Sequence, residues 1–180
     1  MSDYSQIESE RLIFKRPEEG DYAFLRDVVK DDDLMKYVAT SITDEQAESV
    51  VNRTRAHWER HGFGTYVTFL RSTMERIGFC GPKYLDVEGQ DVVDIGCVLM
   101  QKYQGQGLAT ESYRRMLSFS FDTLKFDKIS SIVNEDHTAI RRVLEKMGYR
   151  HLRNIDRECD GIQFKDECYY EITRSEYLKQ

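Results

Sequence analysis

No run of apolar side chains in these 180 residues approaches the ~20 needed to span a bilayer as a helix. The opening Met1-Ser2-Asp3-Tyr4-Ser5-Gln6 has neither a basic stretch nor an apolar one. No secretory leader is expected, and the chain reads as cytoplasmic with no membrane partner. The four cysteines, Cys80, Cys97, Cys159 and Cys168, form no C-x-x-C pair, and no histidines stand beside them at ligand spacing. That argues against a zinc site or any other metal and leaves free thiols in a reducing compartment. Basic residues are outnumbered, 26 Lys and Arg against 32 Asp and Glu, for a formal charge of −6. Such a field repels phosphate backbones, so no nucleic-acid partner is expected, and it weakly favours cationic ligands such as amines. Repeats, low-complexity stretches and linkers are absent too. One domain over residues 1–180 fits this length.

What is present is a globular balance, 40% hydrophobic and 32% charged, with enough chain to bury a core unaided. Residues 11–16 read as a strand stopped by Pro17. Residues 21–29 carry Tyr22, Leu25, Val28 and Val29 at helical spacing. The acidic run Asp31-Asp32-Asp33 suits a helix start. Thr43-x-x-Gln46 is a capping box that opens a longer helix, closed by Gly62. His57 and His61 near its end are expected on the surface or rim. Strands follow at 65–70, 76–85 and 92–100 as an antiparallel meander. Residues 107–124 read as a helix, 128–133 as a strand and 139–147 as a second helix ending at Gly148. Two last strands, 149–156 and 163–173, flank a turn at Asp160-Gly161. The order implies an α/β (α+β) fold, with about seven strands in a mixed, mostly antiparallel sheet flanked by helices.

The informative segment runs from Val92 to Thr110. A buried strand enters a loop, Gln104-Gly105-Gln106-Gly107, which passes straight into a helix through Leu108, Ala109 and Thr110. A helix start offers unpaired N–H groups and positive potential, enough to hold a diphosphate without a basic side chain. A Walker loop would need Gly-Lys-Ser/Thr where this chain has Gly107-Leu108-Ala109. A dinucleotide fingerprint would need a third glycine where Thr110 stands, and a parallel start.

Gln104-x-x-Gly107-x-Ala109 resembles the Q/R-x-x-G-x-G/A signature of GNAT acetyltransferases. Ile77-Gly78-Phe79-Cys80-Gly81 upstream and the stretch from Arg142 to Tyr149 downstream are similar to the branch holding ribosomal-protein N-terminal acetyltransferases. The likeness runs from about Glu10 to Thr173. It implies an enzyme that moves an acetyl group from acetyl-CoA to a primary amine by direct attack, with the cradle at Gln104, Gly105, Gln106, Gly107, Leu108, Ala109 and Thr110. It implies that Val98, Leu99 and Met100 line the pantetheine arm, beside a bulged strand splayed from the next one. Homodimers are common among such relatives.

Chemistry on an alkylamine requires removal of a proton, because its pKa is near ~10. Asp94 is the candidate base; the alternative is an ion pair with a neighbouring strand's Lys or Arg. Where the branch has Asp-Asn-x-Ala-Ser, this chain has Asp136-His137-Thr138-Ala139-Ile140. His137 is the candidate for contacting the pantetheine region or donating a proton, while Ile140 has no hydroxyl. The tyrosine of other members falls near Leu144. Acceptor selection is expected from residues 21–61 and 157–165, with Tyr37, Trp58 and His61 as possible contacts. A non-catalytic acyl-CoA sensor on the same fold is the alternative.

Overall fold

The computed structural model describes residues 4–179 and gathers the strands into one sheet. In chain order they are β1 (Gln6–Glu8), β2 (Leu12–Lys15), β3 (Tyr66–Leu70), β4 (Arg76–Val87), β5 (Gln90–Leu99), β6 (Lys128–Val133), β7 (Arg150–Cys159) and β8 (Ile162–Thr173). Side by side they run β1-β2-β3-β4-β5-β6-β8-β7. Among the described residues only β5 and β6 pair in parallel. The sheet thus has eight strands rather than seven. The extra one, β1, buries Ile7 opposite Phe14, and three residues are too few for a period-two pattern to show.

Helices α1 (Asp21–Lys30), α2 (Asp32–Met35) and α3 (Asp44–His61) cover one face. The stripe Tyr22, Leu25, Val28 and Val29 is buried there with Val51 against Ile13, Val67, Phe69 and Phe79. Asp31 caps α2 by accepting from the Leu34 N–H, so the acidic run is a helix start. Both arms of the Thr43–Gln46 capping box are made, and Gly62 ends α3 at φ 71. A cap of this kind contributes about 1 kcal/mol. On the other face α4 (Leu108–Ser118) packs Tyr113, Met116 and Leu117 over Leu12, Phe14, Ile95 and Leu99. The helix expected to reach residue 124 instead widens to a π-turn at Phe119–Thr123, which buries Phe119 and Phe121. Then α5 (Thr138–Lys146) covers β6 and β7, and a short α6 (Arg174–Tyr177) closes the chain on its own capping box.

Two hairpins are set by local chemistry. Glu88 and Gly89 both have positive φ, as do Asp160 and Gly161, the twist of a two-residue turn that matches twisted strands. The sheet's interior is less regular. β5 pairs with β4 continuously from Val87↔Gln90 to Gly78↔Leu99, but meets β6 only at Asp94↔Ser130. The splay therefore falls where the resemblance implied. The bulge does not: the β4–β5 ladder is unbroken, and the irregularity lies between β3 and β4, opposite Thr68 and Phe69. Gly78 makes this possible, since a Cβ there would sit 2.0 Å from the Val98 carbonyl oxygen.

Candidate functional site

The gap between β5 and β6 begins at Asp94. Its Oδ1 accepts the Ile132 N–H of β6 at 3.1 Å, and its Oδ2 accepts Lys83 Nζ of β4 at 3.1 Å. The side chain is 7% exposed. Asp94 thus ties three strands together where main-chain pairing stops, and the ion pair with a neighbouring strand is the arrangement found. One residue on, the Ile95 carbonyl accepts from Ser131 Oγ of β6 at 3.0 Å and from Tyr113 Oη of α4 at 3.2 Å. Strands repeat every two residues, so Cys97 and Leu99 turn their main-chain groups the same way, into the gap.

This parity sorts the expected lining residues. The Leu99 N–H faces the gap, and its carbonyl is closed by Gln104 Nε2 at 2.8 Å. The main chain of Val98 belongs to the β4 ladder, and the Met100 N–H donates to the Ile77 carbonyl at 2.8 Å. Cys97, which pattern reading passed over, faces the gap instead. Strand parity becomes legible only once the neighbouring ladder is known.

At the end of β5 the chain makes one 3₁₀ turn, Gln101–Tyr103, and enters the glycine loop. Gly105 and Gly107 have φ 73 and 76, and a Cβ on Gly105 would meet nothing. Conformation rather than room demands glycine there. The first turn of α4 closes with the Glu111 N–H donating to the Gly107 carbonyl at 3.1 Å. The N–H groups of Leu108, Ala109 and Thr110 are left without intrahelical acceptors at the positive end of the helix. The loop's glutamines turn inward: Gln104 to the Leu99 carbonyl, and Gln106 Nε2 to the Lys102 carbonyl at 2.8 Å.

Arg11, read in the sequence only as part of a strand, is the unforeseen member. Its Nη1 donates to the Gln106 carbonyl at 3.0 Å, and its Nε to Glu111 Oε2 at 2.7 Å. Glu111 Oε1 also accepts the Arg11 N–H and Ser9 Oγ, each at 2.7 Å. Burial alone would raise the Glu111 carboxyl, but these bonds hold it below the usual 4.5. No sequence signal links residues 100 apart.

Beyond β6, His137 stands at the N-cap of α5 without capping it. Its ring stacks on Tyr37 at 4.3 Å and 24°, and Lys36 Nζ lies 4.9 Å from the Tyr37 ring. Burial, then Lys36, push the His137 imidazole below 6.5. Ile140 and Leu144 are buried core. Trp58 is 3% exposed and donates its indole N–H to the Thr65 carbonyl, so it packs. His57 lies at the rim with both ring nitrogens engaged. Half-buried, its Nδ1 bonds the Phe63 carbonyl at 2.9 Å and its Nε2 accepts the Tyr84 N–H at 3.0 Å. β3 stops at Tyr66, opposite Cys80, and the β4 edge beyond it needs that acceptor. His61 is exposed beside Tyr84. The hairpin tip and α3 touch directly: Asp160 pairs with Arg53, and its carbonyl accepts Gln46 Nε2 at 3.2 Å.

The loop sequence implied an amide-rich helix start, and the resemblance implied a strand splayed from its parallel neighbour before it; both are found. The sequence profile of the acetyltransferase (GNAT) domain matches residues 11–150. The chain belongs to the GNAT acetyltransferase family. An uncharacterized N-acetyltransferase of Bacillus subtilis (strain 168), YnaD, is 25% identical over 174 residues, covering 95% of this chain and 98% of that one. The crystal structure of a GNAT-family acetyltransferase from Bacillus anthracis matches at 26% identity and TM-score 0.73, over 95% of this chain and 99% of that one. Spermidine N-acetyltransferase from Vibrio cholerae, solved in complex with CoA and spermine, shares the fold at 19% identity and TM-score 0.73, over 94% and 99%.

Proposed function

We propose that this chain moves an acetyl group from acetyl-CoA to a primary amine, either a protein N-terminus or a small-molecule amine. The reading rests on one observation: the open edge of β5 leads directly into the unspent amides of α4. A diphosphate fits those amides, and a pantetheine arm, with its own amides, fits the main chain of Cys97 and Leu99 as an added strand would. When bound, acetyl-CoA supplies the activated acyl carbon; the protein supplies position and field.

Arg11 acts on the cradle through one peptide plane. In a trans peptide the C=O and the following N–H point oppositely. By holding the Gln106 carbonyl outward, Arg11 keeps the Gly107 N–H turned the other way, towards the anion. On the acceptor side, Asp94 stays the candidate base. An ionised carboxylate has about four lone-pair directions, of which Lys83 and Ile132 occupy two. A water in a free direction would relay the amine's proton. His137, held neutral by burial, walls the acceptor side with Tyr37 and is a second proton acceptor. This reading places the reaction in the cytoplasm.

The test is thiol release from acetyl-CoA across a panel of amines that includes polyamines, amino acids and peptide N-termini. Release that depends on a particular amine supports the proposal. The second reading, an acyl-CoA sensor, is favoured by Ile140 and Leu144, whose buried side chains offer the leaving thiolate no proton. Tight acetyl-CoA binding without turnover for any amine would establish it.

A further inference from the structure

Cys80 and Cys97 are direct partners across the β4–β5 ladder, so their side chains share one face. The main chain of Cys97 points away from β4, as Ile95 does. The pair is therefore of the non-hydrogen-bonded kind, in which opposed Cα atoms lie about 4.5 Å apart and side chains come closest. A disulfide spans roughly 4.4–6.8 Å between Cα atoms, so this pair sits at the short limit of what one bond can bridge. Cys80 is wholly buried, whereas Cys97 is half-open and lies on the strand that borders the gap. Burial, then the neighbouring Cys97 thiol, push the Cys80 thiol well up. Cys80 stays protonated, and first attack falls to Cys97. Cys159 and Cys168 face no cysteine in their ladders.

We infer that Cys80 and Cys97 form an oxidisable dithiol on the wall of the acyl-carrier slot, closed to a disulfide by hydrogen peroxide and reopened by thiols. Cys97 sulfur attacks one peroxide oxygen, the O–O bond breaks, and the departing hydroxide takes the Cys97 proton as water, which leaves Cys97 as a sulfenic acid. Cys80 sulfur then attacks that sulfur; the S–S bond forms, the S–O bond breaks, and the departing hydroxide takes the Cys80 proton as a second water. Two thiols and one peroxide become a disulfide and two waters. The short span strains the bond, and strained disulfides are the readily reduced ones. One part rests on the proposed function: acetyl-CoA in the slot covers Cys97 and slows its oxidation.

The experiment treats the reduced full chain with limiting hydrogen peroxide, quenches by alkylation in denaturant, and counts thiols by intact mass and peptide mapping. The expected result is loss of two of the four thiols, with the Cys80 and Cys97 peptides joined and both thiols recovered with reduced glutathione. Cys97→Ser and Cys80→Ser should each give no joined peptide. Four surviving thiols, a different pairing, or irreversible oxidation of Cys97 with Cys80 still free overturns the dithiol. Acetyl-CoA, which carries no free thiol, should slow the loss. If it does not, although calorimetry shows it bound, the placement of Cys97 on the slot is wrong. If calorimetry shows no binding, the proposed function fails, while the thiol count still decides the dithiol.

Discussion

The two edges of β5 are used in opposite ways. Towards β4 it is a wall, paired along its whole length; towards β6 it is tied at Asp94↔Ser130 and then opens. The same residues supply both edges, since alternate main-chain groups face opposite ways. The comparison teaches that this fold stores binding capacity as unspent main-chain hydrogen bonds. Side chains here mostly keep those groups exposed and aimed: Asp94 and Ser131 end the pairing, while Gln104 and Arg11 brace the loop.

The sharpest way to break that contrast is at the cradle. Gly107→Val puts a β-branched residue at φ 76, which costs about 1–2 kcal/mol or more. The loop relieves this by turning its peptides, so acetyl-CoA affinity should fall roughly 100-fold, the worth of one or two charge-assisted hydrogen bonds. Calorimetry giving unchanged affinity would remove the cradle. Next comes the tie at the mouth of the gap. Asp94→Asn loses the charge that holds Lys83 and should lower stability by about 2 kcal/mol in urea unfolding. If Asp94 is also the base, turnover should drop most at low pH; a uniformly scaled pH–rate profile argues against that role.

Arg11→Ala tests whether a side chain aims the loop, with about tenfold weaker acetyl-CoA binding expected. Arg11→Lys, which cannot bridge Gln106 and Glu111 in one plane, should recover little. Wild-type affinity in Arg11→Ala would make the pair with Glu111 purely structural. Glu111 itself adds a pH signature. Its folded pKa lies below 4.5, so its contribution is present above that value and is lost as pH falls through the folded one. Glu111→Gln should flatten the acid side of the melting curve, a difference of about 2 °C in Tm, and parallel melting curves would exclude the contribution. Smallest is Tyr149→Phe. The Tyr149 hydroxyl is buried and has no partner among the described residues, so its removal should leave stability unchanged or raise it by up to about 1 kcal/mol. A loss of turnover at unchanged stability would show that the hydroxyl serves the reaction.

Legibility followed distance along the chain. The Thr43–Gln46 box, the Asp160-Gly161 turn and the start of α4 involve residues within four positions of one another, so their chemistry is written locally. β1 and α6 escaped because three or four residues carry no readable period. The π-turn at Phe119 escaped because its apolar spacing also suits an ordinary helix. The acceptor role of His57 stayed hidden until β3 was seen to end before β4 does. Cys97 and Arg11 were missed for a shared reason: one depends on ladder parity, the other on a partner a hundred residues away.

By itself, the sequence determined the order of the longer elements, the glycine loop at a helix start, and the family expectation that the profile match bears out. Those depend on backbone preferences and on motifs read in a few consecutive residues. Only the tertiary structure decided where β5 stops pairing, which main-chain groups remain open, and that Arg11 holds the loop while Asp94 is held by Lys83. Each is a matter of which distant group reaches a donor or acceptor first, and hydrogen bonds are satisfied in space, not along the chain.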